Sequence, residues 1–374
     1  MGFRPFYLLA SLFAASSVLL WIAQYSGVLT HAYLQGPAWH GHEMLFGFTL
    51  AVVAGFLLTA VRNWTGRETP TGYALMALVA LWLAARILVL TPYAVAAMIA
   101  NVAFPLALAV AIGRPLVQSG NRRNYFFVAL LVALSAASLV FHLSQLIVLP
   151  WLALPSLHAS LDLILFVVAV VGGRVIPMFT NNGVPGAGAT RRPWIERAAL
   201  GGTLLVLAAD MLQLPGPAAA TLMLAVAAAH AVRLWLWKPW RVRHAPLVWI
   251  LHAAYAWVVA YFVLRGLAEI GLVDRVLATH ALTVGVIGGM TLGMMTRTAR
   301  GHTGRVLIAG RLETASFVLV CLAALLRVFG GIGFPGAYGM AVVASGICWS
   351  AAFGLYAALY ASVLSRTRID GKPG

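Results

Sequence analysis

Four histidines open long apolar runs in this 374-residue chain. His40 and His42 stand in WHGHEMLFGF (39–48), His158 in LPSLHASLDLI (154–164) and His280 in THALTVGVIGGM (279–290). A fifth, His142, lies near the end of another such run. Neutral imidazole is a common protein ligand for haem iron and for copper, so the set points to metal or haem binding. Glu43 follows His42 directly, and Asp162 stands one helical turn after His158. A carboxylate so placed can hold a ligating imidazole in one tautomer. The ordinary alternative is an ion pair of Glu43 or Asp162 with Arg86, Arg265 or Arg327, because an intramembrane ionisable group rarely lacks a partner. Both acids are also proton-relay candidates, and the three arginines could bind haem propionates.

The elements that must position these groups are membrane helices. The composition is 62% hydrophobic and 9% charged, with mean hydropathy +0.93, which excludes an ordinary soluble domain. Apolar runs of roughly 20 residues suit about 30 Å of hydrocarbon. Hydropathy and turn signals predict twelve spans: 5–29, 39–61, 72–91, 92–112, 125–149, 157–176, 194–214, 217–237, 246–266, 277–297, 311–331 and 337–362. The first is read as a retained span rather than a signal peptide. The expectation is an all-α polytopic protein, 1–374 forming a single transmembrane domain.

The formal charge of +16 could suggest nucleic acid, but its distribution answers to topology instead. Arg62 and Arg67 follow span two; Arg114, Arg122 and Arg123 follow span four; Arg174, Arg191, Arg192 and Arg197 follow span six. Lys238, Arg241 and Arg243 follow span eight, Arg297, Arg300 and Arg305 follow span ten, and Arg366, Arg368 and Lys372 form the tail. The opposite connections are nearly uncharged apart from the mixed loop with Glu269 and Asp274. The positive-inside rule then places both termini in the cytoplasm. His40, His42, His158 and His280 fall at the outer face, with His142 about 10 Å below it.

A weak repeat supports the same grouping. His40, His158 and His280 are separated by 118 and 122 positions (158 − 40 and 280 − 158), and their spans end at Arg62, Arg174 and Arg297. Repeats near 1–124, 125–245 and 246–374 would give three four-helix arcs with pseudo-threefold symmetry. The catalytic subunits of haem–copper oxidases share that layout, as an analogy of fold only. By that analogy His42 and His280 are the axial haem candidates, and His40, His142 and His158 the copper candidates. His40 and His42, about 200° apart on a helix, face one centre together only if the helix starts at His42.

Other features have quieter readings. Gly285, Gly289 and Gly293 form a stripe that suits helix packing or a flat macrocycle. Met290, Met294 and Met295 are read as gap-fillers, Cys321 and Cys348 as apolar filler. His230 and His252 could form a second site or a quinol pocket. His31, His244 and His302 are expected in loops.

The motifs WHGHEMLFGF (39–48), FLLTAVRNWTG (56–66), GGRVIPMFTNN (172–182) and THALTVGVIGGMTLGMMTRTARGHTGR (279–305), with GFRP near the start, resemble the NnrS family of bacterial inner-membrane proteins. The resemblance covers essentially the whole chain. It implies a protein containing haem b and copper, linked to nitrosative stress and the handling of nitric oxide. It carries His40, His42, Glu43, Arg174, His280 and His302 within its motifs, while His142 and His158 rest on topology alone. One reading is a redox enzyme that reduces nitric oxide with electrons from a quinol or a cytochrome. Others are a haem or copper carrier, assembly or sensor protein without turnover, and a secondary transporter.

Overall fold

The computed structural model describes residues 1–28, 33–332 and 335–371, so His31 and Lys372 lie outside the described residues. Twelve helices and no strands occur among them: α1 Phe3–Tyr25, α2 Gly36–Thr65, α3 Gly72–Leu88, α4 Ala94–Gln118, α5 Phe126–Gln145, α6 Ala153–Gly183, α7 Pro193–Met211, α8 Gly216–Leu236, α9 Pro246–Glu269, α10 Arg275–His302, α11 Arg311–Phe329 and α12 Tyr338–Ser365. Ten are long and apolar enough to cross a membrane; α3 is a shorter apolar helix of 17 residues, and α7 carries Glu196, Arg197 and Asp210. Helices are what such a sequence must form, since hydrocarbon offers no partner to an unbonded backbone amide.

Several helices run past the hydropathy limits on their arginine-bearing ends. α2, α4, α6 and α10 continue to Thr65, Gln118, Gly183 and His302, where hydropathy stops at 61, 112, 176 and 297. Arg174, within the predicted span 157–176, is thus followed by more than two further turns of α6, and His302 ends α10 rather than sitting in a loop. A helix needs no apolar residue once it leaves the bilayer, and basic side chains favour its C-terminal dipole. Arg297 meanwhile caps the Phe179 ring at 3.8 Å. α2 stops where Gly66 takes a left-handed conformation (φ 65°) open to few other residues.

The chain forms two compact units, Met1–Leu161 with Ala357–Gly374, and Asp162–Tyr356. Their boundaries fall within α6 and α12. In the first unit α1 packs on α2, α4 runs along both α3 and α5, and Arg4 at the start of α1 donates to the Leu364 carbonyl at 3.1 Å. In the second, α8 and α9 form the closest pair, flanked by α7 and α10, with α11 against α10. The glycine stripe of α10 belongs to this packing. A Cβ on Gly289 would meet Ala254 Cβ at 2.9 Å, one on Gly293 would meet Ile250 at 2.9 Å, and one on Gly285 would collide with the Trp257 indole. Close helix approach, rather than a macrocycle, occupies that face.

Two helices are not regular. Glu43–Thr49 in α2 and Ala281–Gly288 in α10 are π-helical, each beginning directly after a histidine, His42 and His280. Such widened turns are rare and often occur at functional sites.

Candidate metal centre

The site of the first unit is built on the π-helical turn of α2. Widening the helix gives Thr49 Oγ1 the Met44 carbonyl to donate to, at 2.7 Å, and the Trp82 indole of α3 donates to the Gly47 carbonyl at 3.0 Å. Gly47 is required here. A Cβ would lie 2.7 Å from Phe13 and 2.9 Å from Arg86 Nη1, so a side chain would push Arg86 off its seat.

From that turn His42 Nδ1–H donates to Glu43 Oε1 at 2.8 Å. Arg86 of α3 donates through Nη1 to the same carboxylate oxygen and through Nη2 to Asn101 Oδ1 of α4. Asn101 is itself oriented by donating to the Ala97 carbonyl at 2.8 Å. The carboxylate thus balances the guanidinium and fixes the imidazole. Because Glu43 accepts, His42 carries its proton on Nδ1 and presents an Nε2 lone pair.

His142 of α5 meets His42 edge to face, ring centres 4.9 Å apart, while Phe141 stacks on His42 at 5.0 Å. Its Nδ1 is hydrogen-bonded to the Tyr33 hydroxyl at 3.0 Å. Burial pushes the Tyr33 phenol up to about 12, so it stays protonated at neutral pH. Both rings are fully buried. Among the described residues, neither His42 Nε2 nor His142 Nε2 has a hydrogen-bond partner. Leaving a buried polar atom unmatched costs about 1–3 kcal/mol each, which a bound ligand would offset.

Two buried imidazoles, each held through Nδ1 and unpartnered at Nε2, fit a metal bound through nitrogen. Among the described residues no group of three or more His, Cys, Asp or Glu side chains gathers in ligating geometry. What stands together here is a pair of imidazoles, His42 and His142.

The remaining candidates are placed otherwise. His40 turns away from this pair and stacks on Trp21, ring centres 4.8 Å apart. His158 is half-buried beside Leu157, which faces Gly41 at 3.2 Å from a Cβ position, so the starts of α6 and α2 adjoin. His280, in the second unit, donates Nδ1–H to the Val276 carbonyl at 2.8 Å. Of the arginines, Arg86 is taken up by Glu43 and Asn101, and Arg265 by Asp210 at 2.6 Å and Glu269 at 3.2 Å. Arg327 lies over the Tyr338 ring at 5.5 Å, with Nη1 buried and without a hydrogen-bond partner among the described residues.

His230 and His252 enter two separate bonds. Thr203 and Thr180 give their hydroxyl protons to the Ala199 and Ile176 carbonyls, so His230 and His252 donate Nε2–H to those hydroxyls at 3.1 and 2.8 Å. His230 Nδ1 accepts from Tyr255, which accepts from Arg233, itself clamped on Glu196. The His230 side is a closed structural network, whereas His252 Nδ1 is buried with no hydrogen-bond partner among the described residues. Sequence reasoning missed Tyr33, Asn101 and Trp82 as parts of the site. Asn101, a single amide in the apolar run of α4, was the one signal that could have been followed.

Comparison with curated proteins returns no match to the chain. Residues 1–368 match the NnrS protein family, almost the full length of the chain. The chain therefore belongs to the NnrS family, a multi-pass membrane protein of the nitric oxide stress response.

Proposed function

We propose that this protein binds copper and haem b in the bacterial inner membrane and reduces nitric oxide. The observation that carries the reading is the buried pair of unpartnered Nε2 atoms on His42 and His142. His42 and His142 would hold copper; His280, whose tautomer is set by a backbone carbonyl, is the haem ligand offered by the second unit. The metals, when bound, supply the redox centre at which nitric oxide is taken up. Two nitric oxide molecules, two protons and two electrons give nitrous oxide and water, the electrons coming from a quinol or a cytochrome. The substrate partitions into lipid and reaches a buried site without a polar channel.

The side chains do the rest. Glu43 orients His42 and keeps Nε2 deprotonated, Arg86 holds Glu43, and Tyr33 orients His142. The basic ends of the even-numbered helices support twelve crossings with both termini cytoplasmic.

The test is metal analysis, an optical spectrum and nitrous oxide production by the protein in nanodiscs with nitric oxide and a reductant. Wild type is expected to hold copper and haem and to release nitrous oxide. His42→Ala and His142→Ala are each expected to lose copper. Copper retained in both variants overturns the site. Metal and haem without nitrous oxide overturns the enzyme reading in favour of a carrier or sensor.

A further inference from the structure

The second unit buries an acidic group that the metal centre does not use. Asp162 of α6 is 4% exposed. Its Oδ1 accepts from the Tyr261 hydroxyl at 3.3 Å, and its Oδ2 has no hydrogen-bond partner among the described residues. Asp210 of α7 lies beside it, and its Oδ2 likewise has no hydrogen-bond partner among the described residues. Arg265 of α9 reaches Asp162 only through Tyr261, to whose oxygen it donates at 3.3 Å; its Nη2 goes to Asp210 and Glu269. Arg275 of α10 stands 3.9 Å from both Asp210 and Glu269 and is 43% exposed, so the cluster grades from surface to interior. On α8 the stretch 216–229 carries no titratable side chain.

The cluster therefore holds three carboxyls against two guanidiniums, and the carboxyl without a cation of its own is the buried one. An ionised carboxylate there would have no cation in hydrogen-bond contact, only the charge of Arg265 on the far side of Tyr261. A protonated one is neutral, and its O–H can be accepted by an oxygen of the neighbouring carboxylate.

We propose that Asp162 and Asp210 together bind one proton, taken up from the surface through Asp210 and Glu269, and that this cluster is a proton-uptake site. It involves no residue of the His42 site and stands independently of the metal assignment.

The experiment is infrared difference spectroscopy of the full chain in nanodiscs as pH is stepped, following the protonated-carboxyl C=O band. Asp162→Asn and Asp210→Asn are each expected to remove one band present in wild type. Tyr261→Phe keeps the volume but removes a donor to the ionised form, so the band should persist to higher pH. Bound copper in Asp162→Asn should equal wild type. No band lost in either Asn variant, or a Tyr261→Phe titration unchanged from wild type, overturns the proposal. So does loss of the wild-type band on adding sodium chloride at fixed pH, which would make the pair a cation site.

Discussion

The helices α2 and α10 enter their π-helical turns in the same way, with a histidine at the last regular position and a glycine five residues on: His42 with Gly47, His280 with Gly285. Both imidazoles are locked as the Nδ1–H tautomer, and both glycines admit a neighbouring aromatic ring, Phe13 or Trp257. The surroundings then diverge. His42 is fully buried, held by a carboxylate that is held in turn by Arg86, and has a second imidazole against it. His280 is half-buried and held by a backbone carbonyl. A carboxylate partner raises imidazole basicity and ligand strength more than a carbonyl does. The local device sets which nitrogen is presented; the charges packed round it set how strongly that nitrogen binds.

Breaking the charged frame should give the largest difference between the two helices. Arg86→Ala leaves Glu43 buried without its cation and is expected to cost about 3–5 kcal/mol, whereas His280→Ala gives up one hydrogen bond worth about 1 kcal/mol. Thermal unfolding in nanodiscs measures both, and equal losses would dissolve the distinction. Glu43→Gln should weaken copper binding about 10–100-fold through the loss of the carboxylate that orients His42. A competition titration with a chelator reads this, and unchanged affinity would remove Glu43 from the site.

The glycine of the π-helical turn comes next. Gly47→Ala should destabilise by about 1–3 kcal/mol because Phe13 and Arg86 must move. Gly201→Ala, where nothing lies within 4 Å of the added carbon, should stay within about 0.5 kcal/mol. Similar unfolding temperatures for the two variants would mean that the α2 turn tolerates a side chain.

Tyr33→Phe is expected to have the smallest effect, about 1 kcal/mol for one hydrogen bond, and to change the pH response. The phenol titrates near 10.0 when unfolded and about 12 in the fold, because burial disfavours its charged form. The folded state thus keeps a proton that the unfolded state releases. This contribution is complete below pH 10.0 and declines as pH rises toward about 12. Unfolding followed from pH 9 to pH 12 should show a shallower decline in Tyr33→Phe; parallel curves would mean Tyr33 is not buried on His142.

Much of this was legible beforehand. Each of the twelve apolar segments is a helix, because hydropathy over a span and the need to bond every amide leave little choice. The opposite directions of His40 and His42 followed from helical spacing once α2 begins before both, at Gly36. The π-helical turns did not, since a widened turn is chosen by what it packs against. Nor did the partnership of Tyr33 with His142, 109 positions apart in the chain. The reading of Glu43 and Asp162 as two similar acids also parted: one is paired with Arg86, while the other meets Arg265 only through Tyr261.

By itself, then, the sequence determined the helices and which residues are able to ligate or titrate, because those depend on local composition and period. Which imidazoles face one another, which carboxylate gains a cation and which is left with a bare oxygen were decided only in three dimensions. Those outcomes depend on single atoms brought within about 3 Å across helices distant in the chain, and no local pattern encodes that distance.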